Sequence, residues 1–155
     1  MIKVLLIDND QDTLNSFSRT LSAMGFEVIA KPDAKAALSL LRQGALADLV
    51  ITESSLPEMD GFEFVILMKR ILPLVPVIML TNSGGVESYL KAMSIGIYEY
   101  VSKTVTFRDL DRIVHAAIAS AETAPMVWHV PARSENVTKG QPSRAAGMHK
   151  HCPFL

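Results

Sequence analysis

Hydrophobic residues follow two alternating patterns along the first 123 positions of this chain. Short, almost continuous apolar runs indicate buried strands, at residues 4–7, 27–30, 49–52, 76–80 and 98–101. Between these runs, apolar residues recur at helical spacing, as Leu14, Phe17, Leu21 and Met24 do. A last helix is predicted over residues 107–122. The alternation predicts an α/β fold in which crossover helices cover both faces of a parallel sheet.

The pattern stops near residue 123. Residues 124–155 contain four prolines and carry a formal charge of +3, whereas residues 1–123 carry −4. We therefore expect a folded domain over residues 1–123 and a Pro-containing basic tail, flexible in solution, over residues 124–155.

Composition narrows the class of protein only a little. A net charge of −1 gives no overall bias toward nucleic acid or an anionic membrane. The single cysteine, Cys152, excludes a disulfide within the chain, and no apolar stretch is long enough to span a bilayer. We expect a cytoplasmic protein that does not engage a membrane.

Residues capable of chemistry stand where the predicted strands end. In a parallel sheet these ends meet along one edge, which is where ligands and reactive groups gather. An acidic group, a hydroxyl and an ammonium are therefore predicted to cluster there. The residues are Asp8, Asn9 and Asp10 after the first strand, Glu53 after the third, Thr81 after the fourth, and Ser102 and Lys103 after the fifth.

Two segments resemble a known family. The sequence DLVITESSLPEMDGFEF, at residues 48–64, resembles the centre of a response-regulator receiver domain. The sequence TNSGGVESYLKAMSIGIYEYVSK, at residues 81–103, resembles CheY-like receivers of nitrogen-regulation-type activators. The resemblance covers about residues 2–122. It implies a doubly wound, flavodoxin-like α/β fold with five helices and a five-stranded parallel sheet of order 2-1-3-4-5, and a role in two-component phosphorelay signal transduction.

The resemblance also implies a role for each residue at the site. Receivers hold Mg²⁺ with an acidic pair and an acceptor aspartate, bind the phosphoryl oxygens with a hydroxyl and a lysine, and couple the hydroxyl to an aromatic ring. By position, the equivalents are Asp8 and Asn9 for the acidic pair, Glu53 for the acceptor, Thr81 for the hydroxyl, Tyr100 for the aromatic residue and Lys103 for the lysine.

Four departures from the family pattern weaken this chemistry. Glu53 replaces the acceptor aspartate and reaches one methylene further, so we predict an ion pair with Lys103 that partly imitates phosphorylation. Asn9 removes one charge from the metal pair, so we expect Mg²⁺ to bind weakly or not at all. Thr104 replaces the usual proline after the lysine, and we expect a trans bond before it. Asn82 is predicted to narrow access to the pocket.

Asp10 has two interpretations. It caps the first helix, since acidic residues begin helices readily, or it compensates for Asn9 as a metal ligand.

The leading functional hypothesis is a pseudo-receiver that is not an enzyme and acts as a phosphorylation-independent protein-interaction module. Its expected partner is a signalling protein or a second copy, bound through the face of the fourth helix, fifth strand and fifth helix. The candidate surface residues are Tyr89, Leu90, Ile95 and Ile97, some of which must belong to the core.

Two other hypotheses remain open. The first is a working, Mg²⁺-dependent phospho-receiver, which needs a nucleophile that Glu53 is poorly placed to supply. Thr52 and Ser54 are set aside as substitutes, because a strand-internal threonine points away from the pocket. The second is nucleic-acid binding by the tail, which is disfavoured because its four basic charges are spread out.

Overall fold

Strands and helices alternate throughout the part of the chain that the computed structural model describes, residues 1–82 and 84–123. The expectations for the tail lie outside these residues. In chain order the elements are β1 (Lys3–Ile7), α1 (Gln11–Ala23), β2 (Glu27–Lys31), α2 (Ala34–Arg42), β3 (Leu49–Glu53), α3 (Gly61–Ile71), β4 (Val77–Thr81), α4 (Val86–Ser94), β5 (Glu99–Ser102) and α5 (Phe107–Glu122).

The strands form one parallel sheet of order β2-β1-β3-β4-β5, which confirms the predicted fold class and topology. The predicted strand ends need a small correction. Glu53, Thr81 and Ser102 are the last residues of their strands rather than the first residues beyond them. Backbone pairing continues through these positions, since Glu53 lies opposite Leu80 and Thr81 opposite Ser102, although the apolar pattern has already ended.

Each face of the sheet is covered by its own apolar core. Leu5 and Ile7 of β1 pack on one face with buried residues of α2 and α3, whereas Val4 and Leu6 pack on the other with residues of α1 and α5. Alternate strand residues point to opposite faces, so a strand buried on both sides is apolar at nearly every position. This double burial fixes the strand ends on which the site is built.

Two helix ends show how local sequence fixes the chain path. Gly25, just after α1, has a φ of +97°, a conformation that side chains disfavour and glycine adopts readily. At the start of α1, Asp10 is the N-cap, and its side chain accepts hydrogen bonds from the Thr13 N–H at 3.0 Å and the Thr13 hydroxyl at 2.6 Å. Among the described residues, no helix combines the length and apolar character needed to cross a membrane.

Candidate functional site

Three charged side chains are buried together at the carboxyl edge of the sheet. The Lys103 ammonium lies 2.6 Å from Asp8 Oδ2 and 2.7 Å from Glu53 Oε1. The side chains of Lys103, Asp8 and Glu53 are only 8%, 5% and 6% exposed. The predicted Glu53–Lys103 ion pair is therefore confirmed, and Asp8 joins it on the other side of the ammonium.

The second carboxylate oxygen of Glu53 is also occupied. Oε2 accepts hydrogen bonds from the Ser54 N–H at 2.6 Å, the Ser55 N–H at 3.0 Å and the Ser54 hydroxyl at 3.0 Å. Burial alone would raise the pKa of Glu53, but the hydrogen bonds from Lys103, Ser55 and Ser54, with the charge of Lys103, hold that pKa below its usual value. Glu53 is consequently a fixed, ionised group whose two oxygens both have donors.

Lys103 is held in its charged form by the same contacts. Burial would lower the pKa of the ammonium, but its hydrogen bonds and charge interactions with Asp8 and Glu53 outweigh burial and raise the pKa. The remaining oxygen of Asp8 accepts the Asp10 N–H at 2.9 Å. A buried charge network stays favourable only when its polar atoms are satisfied in this way.

Ser54, considered from the sequence only as an unlikely substitute for the acceptor, has its side chain in the site. Its buried hydroxyl lies 3.0 Å from Glu53 Oε2 and 3.1 Å from Thr81 Oγ1. The chain leaves β3 at Ser54, so the alternation of faces that governs Thr52 no longer applies there. The turn is tight: Gly61 N–H donates to Ser54 O at 2.8 Å, and a Cβ on Gly61 would collide with the carbonyl oxygen of Glu53.

The sequence held one signal for this arrangement, a glycine placed directly before the first apolar residues of the third helix. Only glycine lets α3 begin this close to the end of β3, because any side chain at position 61 would collide with the Glu53 carbonyl oxygen. That close approach brings Ser54 inward, and the sequence alone does not specify it.

The acidic residues after β1 play different parts. Asp8 faces Lys103, whereas Asp10 caps α1, so the helix-cap interpretation of Asp10 is confirmed and its carboxylate is committed to Thr13. Those hydrogen bonds from Thr13 lower the pKa of Asp10. Asn9 is exposed and lines, with Asp8, Asp10, Glu53, Ser55, Thr81, Asn82 and Lys103, a cleft of about 380 Å³.

The arrangement does not fit the Mg²⁺ that the resemblance implies. Mg²⁺ takes oxygen ligands in an octahedron and binds through one or two free carboxylates. Here all four carboxylate oxygens of Asp8 and Glu53 accept hydrogen bonds or face Lys103. Within residues 1–82 and 84–123, no group of three or more His, Cys, Asp or Glu is arranged to hold a metal ion. Asp8, Asn9 and Glu53 could serve as ligands only if Lys103 moved away.

Ser102 lies outside the charge cluster. Its hydroxyl lies 2.8 Å from Thr104 Oγ1 and accepts the Thr104 N–H at 3.1 Å, so it closes the turn after β5. Strand alternation explains why Ser102 is not in the cluster: neighbouring residues of a strand point to opposite sides, and Ser102 is exposed while Val101 beside it is buried. The described peptide bonds are all trans, as expected before Thr104.

Tyr100 lies between the site and the α4 surface. It lines a second cleft, of about 420 Å³, together with Thr81, Asn82, Gly84, Val101 and Ser102. Its ring meets the ring of Tyr89 edge-on, with centroids 6.3 Å apart and an interplanar angle of 79°. The ring also covers Gly84, where a Cβ would approach Tyr100 to 2.6 Å.

Three apolar side chains are exposed on α4, beside the charged Glu87 and Lys91. Val86, Tyr89 and Leu90 are 75%, 45% and 59% exposed. The other two candidates are the ones that belong to the core: Ile97 is buried in it, and Ile95 is partly buried against it.

The physical reason is the way α4 ends. Gly96, with a φ of +86°, follows the helix, and the Ile97 N–H donates to Ala92 O at 3.2 Å. This is the geometry in which the second residue after the helix C-cap, here Ile97 after Ile95, folds back onto the last turn.

Comparison with known proteins defines the class. The chain matches the family described as "Response regulator receiver domain" over residues 4–115. This chain therefore belongs to the response regulator receiver domain family, a class of signalling modules in two-component systems.

Individual relatives agree. Response regulator protein FleR of Pseudomonas aeruginosa is 35% identical over 108 residues, a match that covers 70% of this chain and 23% of FleR. The probable transcriptional regulator ycf27 of Guillardia theta is 27% identical over 128 residues, with 50% of that protein covered. An uncharacterized 14.6 kDa protein of Leptolyngbya boryana is 35% identical over 114 residues, with 86% of it covered. The chain thus spans half or less of FleR and ycf27.

Solved structures show the same fold. A receiver domain protein from Clostridium thermocellum has a TM-score of 0.74 and 29% identity, covering 79% of this chain and 98% of that chain. The chemotaxis response regulator CheY4 of Vibrio cholerae has a TM-score of 0.69 and 28% identity, covering 76% of this chain and 98% of that chain.

Proposed function

We propose that this receiver domain is an atypical, non-enzymatic member of its family, a protein-interaction module whose state does not depend on phosphorylation. The observation that carries the proposal is the occupancy of Glu53. Its Oε1 lies 2.7 Å from the Lys103 ammonium, and its Oε2 accepts two backbone N–H groups and the Ser54 hydroxyl. A carboxylate engaged on both oxygens is a poor nucleophile for phosphoryl transfer.

The charge of Glu53 supports a phosphomimetic role. A phosphoryl group brings a charge of about −1.5 to −2, whereas Glu53 brings a single negative charge on a longer side chain. That charge pairs with Lys103 and, through Ser54, contacts Thr81, the two groups that the resemblance assigns to phosphoryl oxygens. The site thus supplies part of the same set of contacts with no added group.

The exposed α4 surface supports the interaction role. Contiguous exposed apolar side chains on a soluble domain mark contact sites more often than isolated ones do. Val86, Tyr89 and Leu90 share α4, and Tyr89 touches Tyr100 of β5. We propose that the face of α4, β5 and α5 binds a signalling protein or a second copy of this chain, and that the domain works in the cytoplasm.

The first experiment exposes the protein to acetyl phosphate or phosphoramidate with Mg²⁺ and follows intact mass. The natural chain should show no gain in mass. Glu53→Asp, with the shorter side chain that receivers use, is the positive comparison, and Glu53→Gln controls for changes at the site that restore no nucleophile.

Each outcome has a distinct meaning. A phosphate adduct on Glu53→Asp alone indicates that one methylene group disables the chemistry. No adduct on either indicates that Lys103 and the neighbouring substitutions also close the site. An adduct on the natural chain would overturn the proposal in favour of a phosphorylatable, Mg²⁺-dependent receiver.

A second experiment tests the surface. Leu90→Ser removes a side chain that is 59% exposed on α4, and Leu74→Ser is a matched control because Leu74 is 56% exposed and lies in the loop between α3 and β4. If a second copy binds here, sedimentation velocity should show self-association that Leu90→Ser weakens and Leu74→Ser leaves unchanged. A natural chain that is monomeric at all concentrations would instead require a different protein as the partner.

A further inference from the structure

The Lys91 side chain connects α4 to α3. Its ammonium lies over the ring of Phe62, 4.5 Å from the ring centroid. Phe62 is buried in the core between α3 and the sheet, whereas Lys91 is exposed. A cation within about 6 Å of the centroid of an aromatic ring is attracted by the negative charge of the ring face. The contact therefore joins a helix at the surface to a fixed group of the core.

α4 has few buried side chains that could fix its position. Within Val86–Ser94, Ala92 is buried and Met93 is packed against the core. The N-cap residue, Gly85, offers no side-chain hydrogen bond to the helix. The buried residues of α3 are more numerous: Gly61, Phe62, Phe64, Val65 and Met68. Because the stability of a helix in a protein comes mostly from the packing of its buried face, α4 depends more than α3 does on contacts at its flanks.

Four consecutive residues of α4 divide the helix surface between core, flanks and solvent. Successive residues of an α-helix are about 100° apart around the axis. Ala92 faces the core, so Leu90, about 200° away, faces outward. Tyr89 and Lys91 lie on either side of Leu90. Tyr89 meets an aromatic ring of β5, and Lys91 meets Phe62 of α3. The two contacts thus hold α4 from both flanks, with the exposed Leu90 between them.

We infer that Lys91 is a positioning residue, which fixes the α4 surface by holding α4 to α3 at Phe62. Phe62 directly follows Gly61, whose N–H donates to Ser54 O. The N–H of Ser54 in turn donates to Glu53. Lys91 therefore attaches α4 to the turn that also supplies donors to Glu53. That this surface binds a partner rests on the proposed function, whereas the position of α4 does not.

The test is a double-mutant cycle in the full chain with Lys91→Met and Phe62→Leu. Methionine keeps an unbranched apolar side chain without the charge, and leucine keeps an apolar side chain without the aromatic face. Lys91 also stands in the last turn of α4, where a positive charge stabilises a helix without any ring. The cycle subtracts that contribution, because Lys91→Met removes it in both backgrounds.

Two signals are measured with no phosphodonor, Mg²⁺ or partner present. The Phe62 ring should move the NMR signal of the Lys91 ε-methylene protons upfield in the natural chain, and this shift should be lost in Phe62→Leu. Amide hydrogen exchange across α4 reports local opening of the helix. Lys91→Met should speed that exchange more in the natural background than in Phe62→Leu, by about two- to five-fold, the range for an exposed contact of this kind. Lys91→Arg keeps a cation that binds aromatic faces and should retain slow exchange.

Two results would overturn the inference. One is a Lys91 ε-methylene signal in the natural chain with no upfield shift, because the ammonium would then not rest on the ring; this result does not require Phe62→Leu to fold. The other is equal acceleration of exchange by Lys91→Met in both backgrounds, with backbone amide spectra that show folded variants. The proposed function fails separately, in the phosphodonor and sedimentation experiments, since Lys91 could hold α4 in place whether or not α4 binds a partner.

Discussion

The carboxyl edge of the sheet buries charged side chains, whereas the outer face of α4 exposes apolar ones. At the sheet edge, the charged side chains of Asp8, Glu53 and Lys103 are buried and paired at 2.6 and 2.7 Å. On α4, Leu90 and Tyr89 are apolar and exposed to solvent. In a receiver that is switched by phosphorylation, the first region must open to a phosphodonor and a metal ion.

Under the proposed function, this difference means that the two functions of a receiver, chemistry and recognition, are separable in one fold. Charges that satisfy one another internally leave little for a ligand to gain, because binding must first break their hydrogen bonds and ion pairs. Exposed apolar side chains have no such internal partner, and their burial against another protein is favourable.

The largest expected effect comes from removing the buried cation. Lys103→Met leaves two carboxylates, of Asp8 and Glu53, buried side by side, and we expect a loss of about 3–5 kcal/mol in the free energy of unfolding. Lys35→Met is the control, because Lys35 and Glu58 form a pair whose side chains are both 67% exposed, and pairs of that kind contribute about 0–1 kcal/mol. Urea denaturation at pH 7 measures both, and equal losses would contradict the contrast between buried and exposed pairs.

Mg²⁺ binding provides a second comparison between the natural chain and Lys103→Met. In Lys103→Met, Asp8, Asn9 and Glu53 would present free oxygens to the cleft, and those are the ligands that Mg²⁺ prefers. Added Mg²⁺ should therefore raise the Tm of Lys103→Met, since a ligand that binds only the native state stabilises it. It should leave the Tm of the natural chain unchanged. An equal rise in both would show that Lys103 does not compete with the metal.

The next effect tests the turn that brings Ser54 into the site. In Gly61→Ala the new Cβ would collide with Glu53 O and lie 2.9 Å from Ser54 Cα, so backbone must shift. We expect a loss of about 1–3 kcal/mol, the usual range for overpacking. Gly85→Ala, at the N-cap of α4, is the control for steric collision: no atom lies within 4 Å of its new Cβ, so its cost is limited to that of the poorer N-cap residue. The two variants are compared by thermal and urea unfolding, and equal stability would count against a tight turn at Gly61.

The sequence predicted the fold well because burial on both faces leaves a strong pattern. Strands such as Val77–Thr81 are apolar at almost every position, and the apolar residues of α5 repeat at helical spacing over the observed range Phe107–Glu122. Strand ends were misplaced by one residue where a polar side chain ended the apolar run but the backbone kept pairing, as at Thr81.

The site was predicted only in part, because the sequence pattern does not show where side chains in turns point. The Glu53–Lys103 pair could be predicted because both residues stand at the carboxyl edge of one sheet, at the end of β3 and just after β5, and their long side chains reach each other past β4. Ser54 lies where the chain leaves a strand, and its direction depends on the approach of Gly61. Ile97 could not be told apart from the surface candidates because strand and helix periods do not extend into the turn at Gly96, which folds it inward. Local geometry of this kind has no long-range periodic signal.

Acid should destabilise the site by protonating Glu53. The pKa of Glu53 is lowered in the fold from a usual value of 4.5, so its contribution to stability is complete above that value and is lost as the pH falls through the lowered pKa. The pKa of Lys103 is raised from 10.5, so its contribution is complete below that value and is lost as the pH rises through the raised pKa. Stability from the pair should therefore be constant between these limits.

The measurement is the difference in unfolding free energy between the natural chain and Glu53→Gln from pH 7 to pH 3. It should shrink below about pH 4.5, where Glu53 in the unfolded chain begins to take up a proton. Glu58→Gln alters an exposed pair and serves as the control for general effects of acid. A difference that stays constant down to pH 3 would show that the charge of Glu53 does not hold the site together.

The smallest effect on stability should come from Gly84→Ala, which tests the connection between the two regions. The new Cβ would lie 2.6 Å from Cε2 and Oη of Tyr100, atoms at the far end of a side chain that can rotate away. We expect a cost below about 1 kcal/mol, as for an adjustment of one rotamer, with a clear shift of the ring signals of Tyr100 and Tyr89. Gly85→Ala again has open space and should leave both rings unchanged. If the α4 surface binds its partner only with Tyr100 in place, Gly84→Ala should weaken that binding while Glu53 and Lys103 remain paired. If the Tyr100 ring is displaced and binding is unchanged, recognition on α4 depends neither on the position of Tyr100 nor on phosphoryl transfer at the Glu53 site.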